Sequence, residues 1–242
     1  MKMFRPLRHS VAVPLAAVLA LAGCSQQGDQ AAAPAPAQPS AADVSRKLDT
    51  YRQLLRIHND ELAVQQGHDI LDHFPNTDAA KEVQQTLPAI EQRWKSEREK
   101  NRLAALWYYQ VTPMAGGTQS TATIYSNPPS GENRVQLVLR RHTAWGQNAF
   151  LYGSGHGFVC RGNCTLPAVV DGRKTGIKVF APPSGEPALM IRDDKAFVAL
   201  LAKAKKISLD VTRVDGEKKE TLVYEVGGFD PEKWKPLPKG KK

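Results

Sequence analysis

The sequence has few of the features that mark a disulfide-stapled or membrane-spanning chain. Only 3 of its 242 residues are cysteine, which excludes a fold that depends on a dense disulfide framework. The longest apolar run, residues 11–22, has 12 residues, whereas a helix that crosses a bilayer needs about 20. Acidic residues number 24 against 33 Lys and Arg, which gives a net charge of +9. The composition therefore predicts a basic chain that does not cross a membrane as a helix.

A signal sequence accounts for the apolar run. Lys2, Arg5 and Arg8 precede it without an acidic residue, as in the charged start of an export signal. Residues 21–24 read Leu-Ala-Gly-Cys and resemble the lipobox of bacterial lipoproteins, a family that is cleaved before the cysteine and lipidated on it. The resemblance implies that Cys24 becomes the first mature residue and anchors the protein to the lipid bilayer. The alternative is an ordinary signal peptide that is cut elsewhere and leaves Cys24 unmodified.

The same resemblance implies a location. Ser25 follows the cysteine, and in this family a serine there is typical of release to the outer membrane, so we expect an outer-membrane protein that faces the periplasm. Loss of residues 1–23 removes three basic side chains and lowers the charge from +9 to +6. Residues 25–42 are rich in Ala and Pro and have no hydrophobic periodicity, which predicts a linker between Cys24 and the folded body.

The C-terminus carries a local excess of positive charge. Residues 231–242 have a side-chain charge of +4, with lysines that include Lys239, Lys241 and Lys242. Such a tail suits anionic lipid headgroups or polyanionic glycans, and export makes nucleic acid a poor partner. A solvated, frayed terminus is the alternative.

The first folded segment has the spacing of amphipathic helices. Apolar positions recur at 3.6-residue intervals after Asp43, the predicted N-cap, until Gly67 is expected to break or bend the helix. A later helix is predicted to be capped by Asn76 or Thr77, with a kink at Pro88. The segment is therefore predicted to be a helical hairpin region.

The joint between these helices resembles those of tetratricopeptide-like outer-membrane assembly lipoproteins. The resemblance covers about one repeat and implies an assembly role. One hairpin cannot bury its apolar face alone, so these helices would pack on the second domain or on a partner. A plain helical hairpin or coiled-coil spacer is the alternative. The residues that carry the resemblance are Gly67, Phe74, Pro75, Asn76, Thr77, Ala79, Ala80 and Val83.

From Trp107 onward the apolar period changes from 3.6 to 2. Ten short segments rich in β-branched and aromatic residues are separated by turn-forming residues, which predicts an antiparallel sandwich or barrel. One helix, from Lys195 to Ala204 and capped by Asp193 or Asp194, is expected to cover a sheet face. The candidate strands are 107–112, 121–126, 134–140, 147–152, 157–160, 168–171, 177–181, 188–192, 207–214 and 221–226.

Cys160 and Cys164 enclose turn residues between two of these strands. In an oxidising compartment such a pair is expected to form a disulfide that clamps the hairpin. A metal site that uses His156 would have three ligands, short of the four of a structural zinc site. A redox-active pair would depart from the thioredoxin-type motif, which has two intervening residues. We therefore predict a disulfide, with no metal and no cofactor.

Spaced positions across residues 107–230 resemble the accessory β-domains of exported envelope proteins. They include Trp107, the strand at 137–140, the cysteine pair ahead of Asp171, and Gly-Gly-Phe at 227–229. Type VI secretion-associated proteins of the VasI/TagO kind and the invasion-associated locus B proteins show a similar order. The resemblance implies a β-sandwich with an accessory role in the envelope.

No convergent catalytic set is identifiable from the sequence. The glycine-rich turn at 153–157 matches neither a nucleophile elbow nor a phosphate-binding loop. We therefore predict a non-catalytic binding or assembly module whose partner is an envelope protein or peptidoglycan. The alternatives are an immunity or inhibitor lipoprotein directed against a secreted effector, and a periplasmic hydrolase that uses His142, Ser154 and His156. Candidate binding residues are Trp94, Trp107, His142, His156, Lys239, Lys241 and Lys242.

The predicted fold class is α+β: a signal peptide and linker, then helices, then a mostly antiparallel β-sandwich or barrel-like domain with one covering helix. The predicted boundaries are 1–23 for the lipoprotein signal peptide, 24–42 for the lipidated cysteine and linker, 43–106 for the helical region, 107–230 for the β-domain and 231–242 for the basic tail.

Overall fold

A computed structural model describes residues 40–237. The predictions on Cys24, the signal peptide, most of the linker, and Lys239, Lys241 and Lys242 lie outside the described residues. From Ala42 onward the described chain forms one compact unit. It is α+β and mostly β, with three helices, an antiparallel sheet and one helix inserted among the strands, which confirms the predicted fold class. No helix between residues 40 and 237 combines the length and the apolar character that a bilayer span requires.

The three N-terminal helices pack around a core of their own. A buried Tyr51 lies at its centre and its hydroxyl is hydrogen-bonded to Thr86 Oγ1 at 2.8 Å. Arg93 holds Asp60 in a two-pronged ion pair between the second and third helices, and this contact lowers the pKa of the Asp60 carboxyl. The helices are α1 (Ala41–Arg56), α2 (Asp60–His73) and α3 (Asp78–Ala104).

Two predicted helix boundaries are wrong. Gly67 does not end a helix, because α2 passes through it. A Cβ at this position would lie 2.9 Å from Leu87 Cδ1 and 3.2 Å from Tyr51 Cε2, so the glycine permits close packing of the three helices. The chain turns instead before Asn59, whose side chain accepts a hydrogen bond from the backbone N–H of α2. Asp43 is not an N-cap, since α1 begins at Ala41.

Other helix signals are confirmed. Thr77, one of two predicted caps, accepts a hydrogen bond from the Ala80 N–H at 3.2 Å and begins α3. Pro88 lies inside α3, which continues past it to Ala104, and the kink expected at this proline stays a prediction.

The β-region is one nine-stranded sheet in which all neighbouring strands are antiparallel. Nine of the ten predicted strands are present. The tenth, 157–160, is wrong: Phe158 contributes only an isolated bridge to Arg213. The spatial order is β1-β2-β3-β4-β7-β6-β5-β8-β9. The strands are β1 (Tyr108–Met114), β2 (Gly117–Tyr125), β3 (Gln136–His142), β4 (Gly146–Tyr152), β5 (Asn163–Val170), β6 (Arg173–Phe180), β7 (Ala188–Ile191), β8 (Ile207–Thr212) and β9 (Lys219–Tyr224).

The sheet curls because its last strand returns to the chain that follows β2. Asn127 N–H donates to Val223 O at 2.7 Å, and Val223 N–H donates to Pro128 O at 3.0 Å. The inner face thereby encloses one apolar core. The covering helix α4 (Asp194–Leu201) is capped by Asp193 and buries Phe197 and Leu201 in this core, as the sequence predicts.

The core includes Trp234, which lies within the segment predicted as a tail. Its side chain has no exposed surface, and its indole N–H donates to Ser120 O at 3.1 Å. The Arg141 guanidinium lies 3.7 Å from the centre of the indole ring. The folded body therefore extends at least to Trp234.

Helix α3 reaches the β-region through its last turn. Arg102 forms an ion pair with Glu225 at 2.7 Å, which lowers the pKa of the Glu225 carboxyl. Gly228 lies directly against the helix terminus: a Cβ there would be 2.2 Å from the backbone carbonyl of Leu103 and 2.4 Å from Ala104 N. Only a residue without a side chain permits this approach.

Substitution of Gly228 by Ala is expected to lower the free energy of unfolding by about 1–3 kcal/mol, because rigid backbone atoms of α3 must move to admit the methyl group. Chemical denaturation followed by circular dichroism measures this effect. Gly227→Ala is the matched control, since a Cβ there meets its nearest atom, Lys205 Cα, at 3.3 Å. An effect of Gly228→Ala no larger than that of Gly227→Ala would contradict this prediction.

Candidate functional site

The two tryptophans selected from the sequence are packing residues. Trp107 is only 5% exposed and belongs to the sheet core, where its ring lies 4.9 Å from that of Phe229. Trp107 is therefore not available as a binding residue. Trp94 is partly buried against the helical core, and the Arg98 guanidinium lies over its ring at 5.4 Å.

The residues of the hydrolase hypothesis do not converge. His142 ends β3 and pairs with Gly146 at the start of β4, whereas Ser154 and His156 follow the other end of β4. A seven-residue strand separates these ends by about 20 Å. His156 is exposed, and its Nδ1 lies 2.5 Å from Asp215 Oδ1, so its carboxylate partner is a loop residue far from His142.

The cysteine pair lies where the sequence places it. The sulfur atoms of Cys160 and Cys164 are 2.10 Å apart, at disulfide distance, across the turn that leads into β5. The pair therefore serves to fix the start of this strand.

An exposed aromatic surface lies on the outer face of β1–β4. The cross-strand register places Tyr125, Gln136 and Tyr152 in one row, and it places Tyr108 in the next row together with Phe150. Tyr108 is 62%, Trp145 49%, Tyr125 44% and Tyr152 43% exposed. We call this surface the aromatic face and define it by Tyr108, Tyr125, Arg140, Trp145, Phe150 and Tyr152.

A stack of rings and one cation runs along the centre of this face. The Arg140 guanidinium lies 5.1 Å from the Phe150 ring on one side and 5.3 Å from the Trp145 ring on the other. Trp145 in turn stacks on the His142 imidazole, with ring centres 3.8 Å apart. Cation–π and stacking contacts of this kind hold exposed side chains in a fixed arrangement.

The turn between β3 and β4 positions Trp145. His142 Nδ1 accepts hydrogen bonds from the backbone N–H groups of Ala144 at 3.1 Å and Trp145 at 3.3 Å. The buried imidazole therefore caps the turn, and the indole of Trp145 stacks on its ring. His142, a predicted binding residue, contributes to the aromatic face from beneath and is only 3% exposed.

The aromatic face carries positive charge. Burial lowers the pKa of the Arg140 guanidinium, which remains charged at neutral pH. One of its nitrogens donates to Asn148 Oδ1 at 3.1 Å, and its buried Nε has no hydrogen-bond partner. Arg134 lies 4.4 Å from the Tyr125 ring. Neither arginine forms a salt bridge within the described part of the chain.

Such a surface is suited to binding. Tyrosine, tryptophan and arginine are the residues enriched at the centres of protein interfaces, and tyrosine gives large contact area at a low cost in conformational entropy. Sequence reasoning missed this face, although a signal exists: the alternation of Leu137 and Leu139 with Val138 and Arg140 places the latter two on the opposite side of the strand.

Comparisons with known proteins give a distant likeness to a solved structure. No protein-family model matches the chain, and no curated protein matches it. Among solved structures, invasion associated protein B from Bartonella henselae is similar with a TM-score of 0.36 and 21% identity, over 51% of this chain and 85% of that chain. This protein belongs to one of the two groups that residues 107–230 resemble, and at this level the likeness carries no argument about function.

Proposed function

We propose that the chain is a non-catalytic, lipid-anchored envelope protein that binds another envelope protein through its aromatic face. The observation that carries the proposal is the exposure of three tyrosines and a tryptophan, between 43% and 62%, on one sheet face. Exposed aromatic side chains grouped in this way mark interaction surfaces in folded proteins.

Charge favours a partner with carboxylates at its contact surface. Arg134 and Arg140 lie among the rings of the aromatic face, and neither forms a salt bridge within residues 40–237, although the negative charge of Glu186 acts on Arg140. An acidic side chain that reaches the Arg140 guanidinium would form a charge-assisted hydrogen bond in a partly desolvated setting, where such bonds are strongest. A protein partner provides carboxylates at the required spacing together with apolar groups that cover the rings.

The tether follows from the lipobox-like residues 21–24. We propose that lipid on Cys24 holds the body at the outer membrane and that the linker ends where α1 begins, at Ala41. On the composition-based prediction of a linker, a coil of this length spans roughly 25 Å, which would let the aromatic face meet a second envelope protein near the same membrane.

Site-specific photo-cross-linking in intact cells tests the proposal. A benzophenone amino acid at Tyr108 or Tyr152 is expected to capture one protein of defined mass in the membrane fraction. The same group at Ile57, which is 62% exposed and lies between α1 and α2, is the matched control and is expected to capture nothing. Replacement of the other tyrosine by serine should reduce capture at least tenfold, since interface aromatics contribute about 2 kcal/mol or more. A Cys24→Ala chain should leave the membrane fraction.

Three outcomes contradict the proposal. Equal capture at Tyr152 and Ile57 would show that the aromatic face has no special role. Sedimentation of the protein with purified peptidoglycan that depends on Tyr108 and Tyr152 would make the ligand a glycan instead. Retention of the Cys24→Ala chain in the membrane fraction would show that Cys24 does not anchor the protein.

A further inference from the structure

One edge of β6 is paired with a neighbouring strand over only part of its length. Strand β6 pairs along its whole length with β5, but with β7 only at Val179 and Phe180. After Ile191 the chain turns away into α4. The first half of β6, from Arg173 to Ile177, therefore has no strand beside it on the β7 side within the described residues.

Backbone groups of β6 point into this opening. Ala181 N–H donates to Gly162 O on the β5 side, and Arg192 N–H donates to Lys178 O on the β7 side. Because the N–H and C=O groups of successive residues point to opposite edges of a strand, the backbone groups of Lys174 and Gly176 share the direction of Lys178. They form an unoccupied strand edge, which is the backbone requirement for strand addition.

A groove of about 360 Å³ lies between this edge and helix α4. Ile177 and Lys178 line it on the strand side, and Ala196, Phe197 and Leu200 line it on the helix side. Its floor is apolar because Phe197 and Ile191 belong to the sheet core. An extended chain in the groove would place alternate side chains toward the floor and toward solvent.

The rim of the groove is basic. Lys174, Lys178 and Arg192 are exposed, and none of them forms a salt bridge among residues 40–237. Arg192 donates to Asn163 and its guanidinium lies 5.3 Å from the Phe180 ring. Asp193 is the acidic residue at the groove, and its carboxylate is engaged in capping α4.

We propose that this groove binds an extended, acidic peptide segment of a partner protein by strand addition to β6. The peptide continues the line of β7, antiparallel to β6, and its main chain bonds to Gly176 and Lys174. One aliphatic side chain enters between Ile177 and Leu200. Carboxylates on the solvent side meet Lys178 and Arg192, because the rim offers cations without acidic partners. Main-chain bonds give such complexes affinity and the side-chain pockets give selectivity.

An array of synthetic heptapeptides tests the proposal with the full mature chain. In one set aliphatic residues alternate with Glu, and in the matched set Lys replaces every Glu. The Glu set is expected to bind at least tenfold more tightly than the Lys set. Ala196→Glu places a carboxylate in the groove at an exposed helix position and should weaken binding of the Glu peptides at least tenfold. Ala199→Glu is the matched control, since Ala199 is exposed on α4 and does not line the groove.

Amide hydrogen exchange gives a direct readout of strand addition. Binding of the tightest Glu peptide should slow exchange of the Gly176 N–H, because that group gains an acceptor, while Thr175, which faces β5, should change little. Equal binding of the two peptide sets, equal effects of the Ala196→Glu and Ala199→Glu substitutions, or unchanged exchange at Gly176 would each overturn the proposal. These results do not depend on the aromatic face, whose variants are tested separately.

Discussion

Substitution of Trp234 by Ala is expected to lower the free energy of unfolding by about 3–5 kcal/mol. The side chain is fully buried, bonds to Ser120 O through its indole N–H and supports the Arg141 guanidinium at 3.7 Å. Its loss opens a cavity, leaves the Ser120 carbonyl without the indole donor and removes the ring beside Arg141, whose hydrogen bond to the backbone carbonyl of residue 234 remains. Burial lowers the pKa of the Arg141 guanidinium.

Urea denaturation followed by circular dichroism measures this effect. Trp145→Ala is the matched control, because Trp145 is 49% exposed, and we expect it to cost no more than about 1 kcal/mol. Similar losses for the two variants would show that Trp234 is not part of the core. A variant that ends at Phe229 should lose as much stability as Trp234→Ala or more, since it removes the same indole.

The second large effect is expected at a buried ion pair between neighbouring strands. Arg213 and Glu220 flank the β8–β9 turn, each side chain is only 11% exposed, and their Nε and Oε2 atoms are 2.9 Å apart. Arg213 also donates to Asn133 O at 2.7 Å. Arg213→Ala is expected to cost about 3–5 kcal/mol, because it leaves the buried Glu220 carboxylate with only the exposed Lys218 ammonium, 4.0 Å away, as a cation.

A double variant and an exposed ion pair serve as controls for this prediction. Arg213→Met combined with Glu220→Leu should be less destabilising than either single substitution, since the double variant buries no unpaired charge. Arg52→Ala, which breaks an exposed pair with Glu82, should have only a small effect. Thermal unfolding of these variants and of the unsubstituted protein at neutral pH measures these differences. A double variant as unstable as the sum of its singles would show that the ion pair does not couple the strands.

Local signals predicted much of the fold. Thr77 and Asp193 cap helices as predicted because capping depends on a few neighbouring residues. The change of apolar period at Trp107 marks the start of the sheet, and the cysteine pair lies at the predicted turn. Each of these features depends only on residues close to it in the sequence.

Features that depend on distant contacts were not predicted. Gly67 looks like a helix breaker in sequence, and only the packing of Tyr51 and Leu87 against it explains its place inside α2. Trp234 lies in a Lys-rich segment without periodicity, so nothing local indicates its burial. The aromatic face requires the register of four strands, which aligns Tyr108 with Phe150 across β2 and β3.

Closure of the sheet has a consequence for the order in which the protein can mature. Val223 bonds to Asn127 and Pro128 across about a hundred intervening residues, and Trp234 follows it. A ribosome releases these residues after all the earlier strands, so the apolar faces of those strands stay uncovered during synthesis, whereas the helical segment can already fold. Nascent chains stopped before residue 219 should for this reason be substrates for holding chaperones and proteases, whereas completed chains escape both.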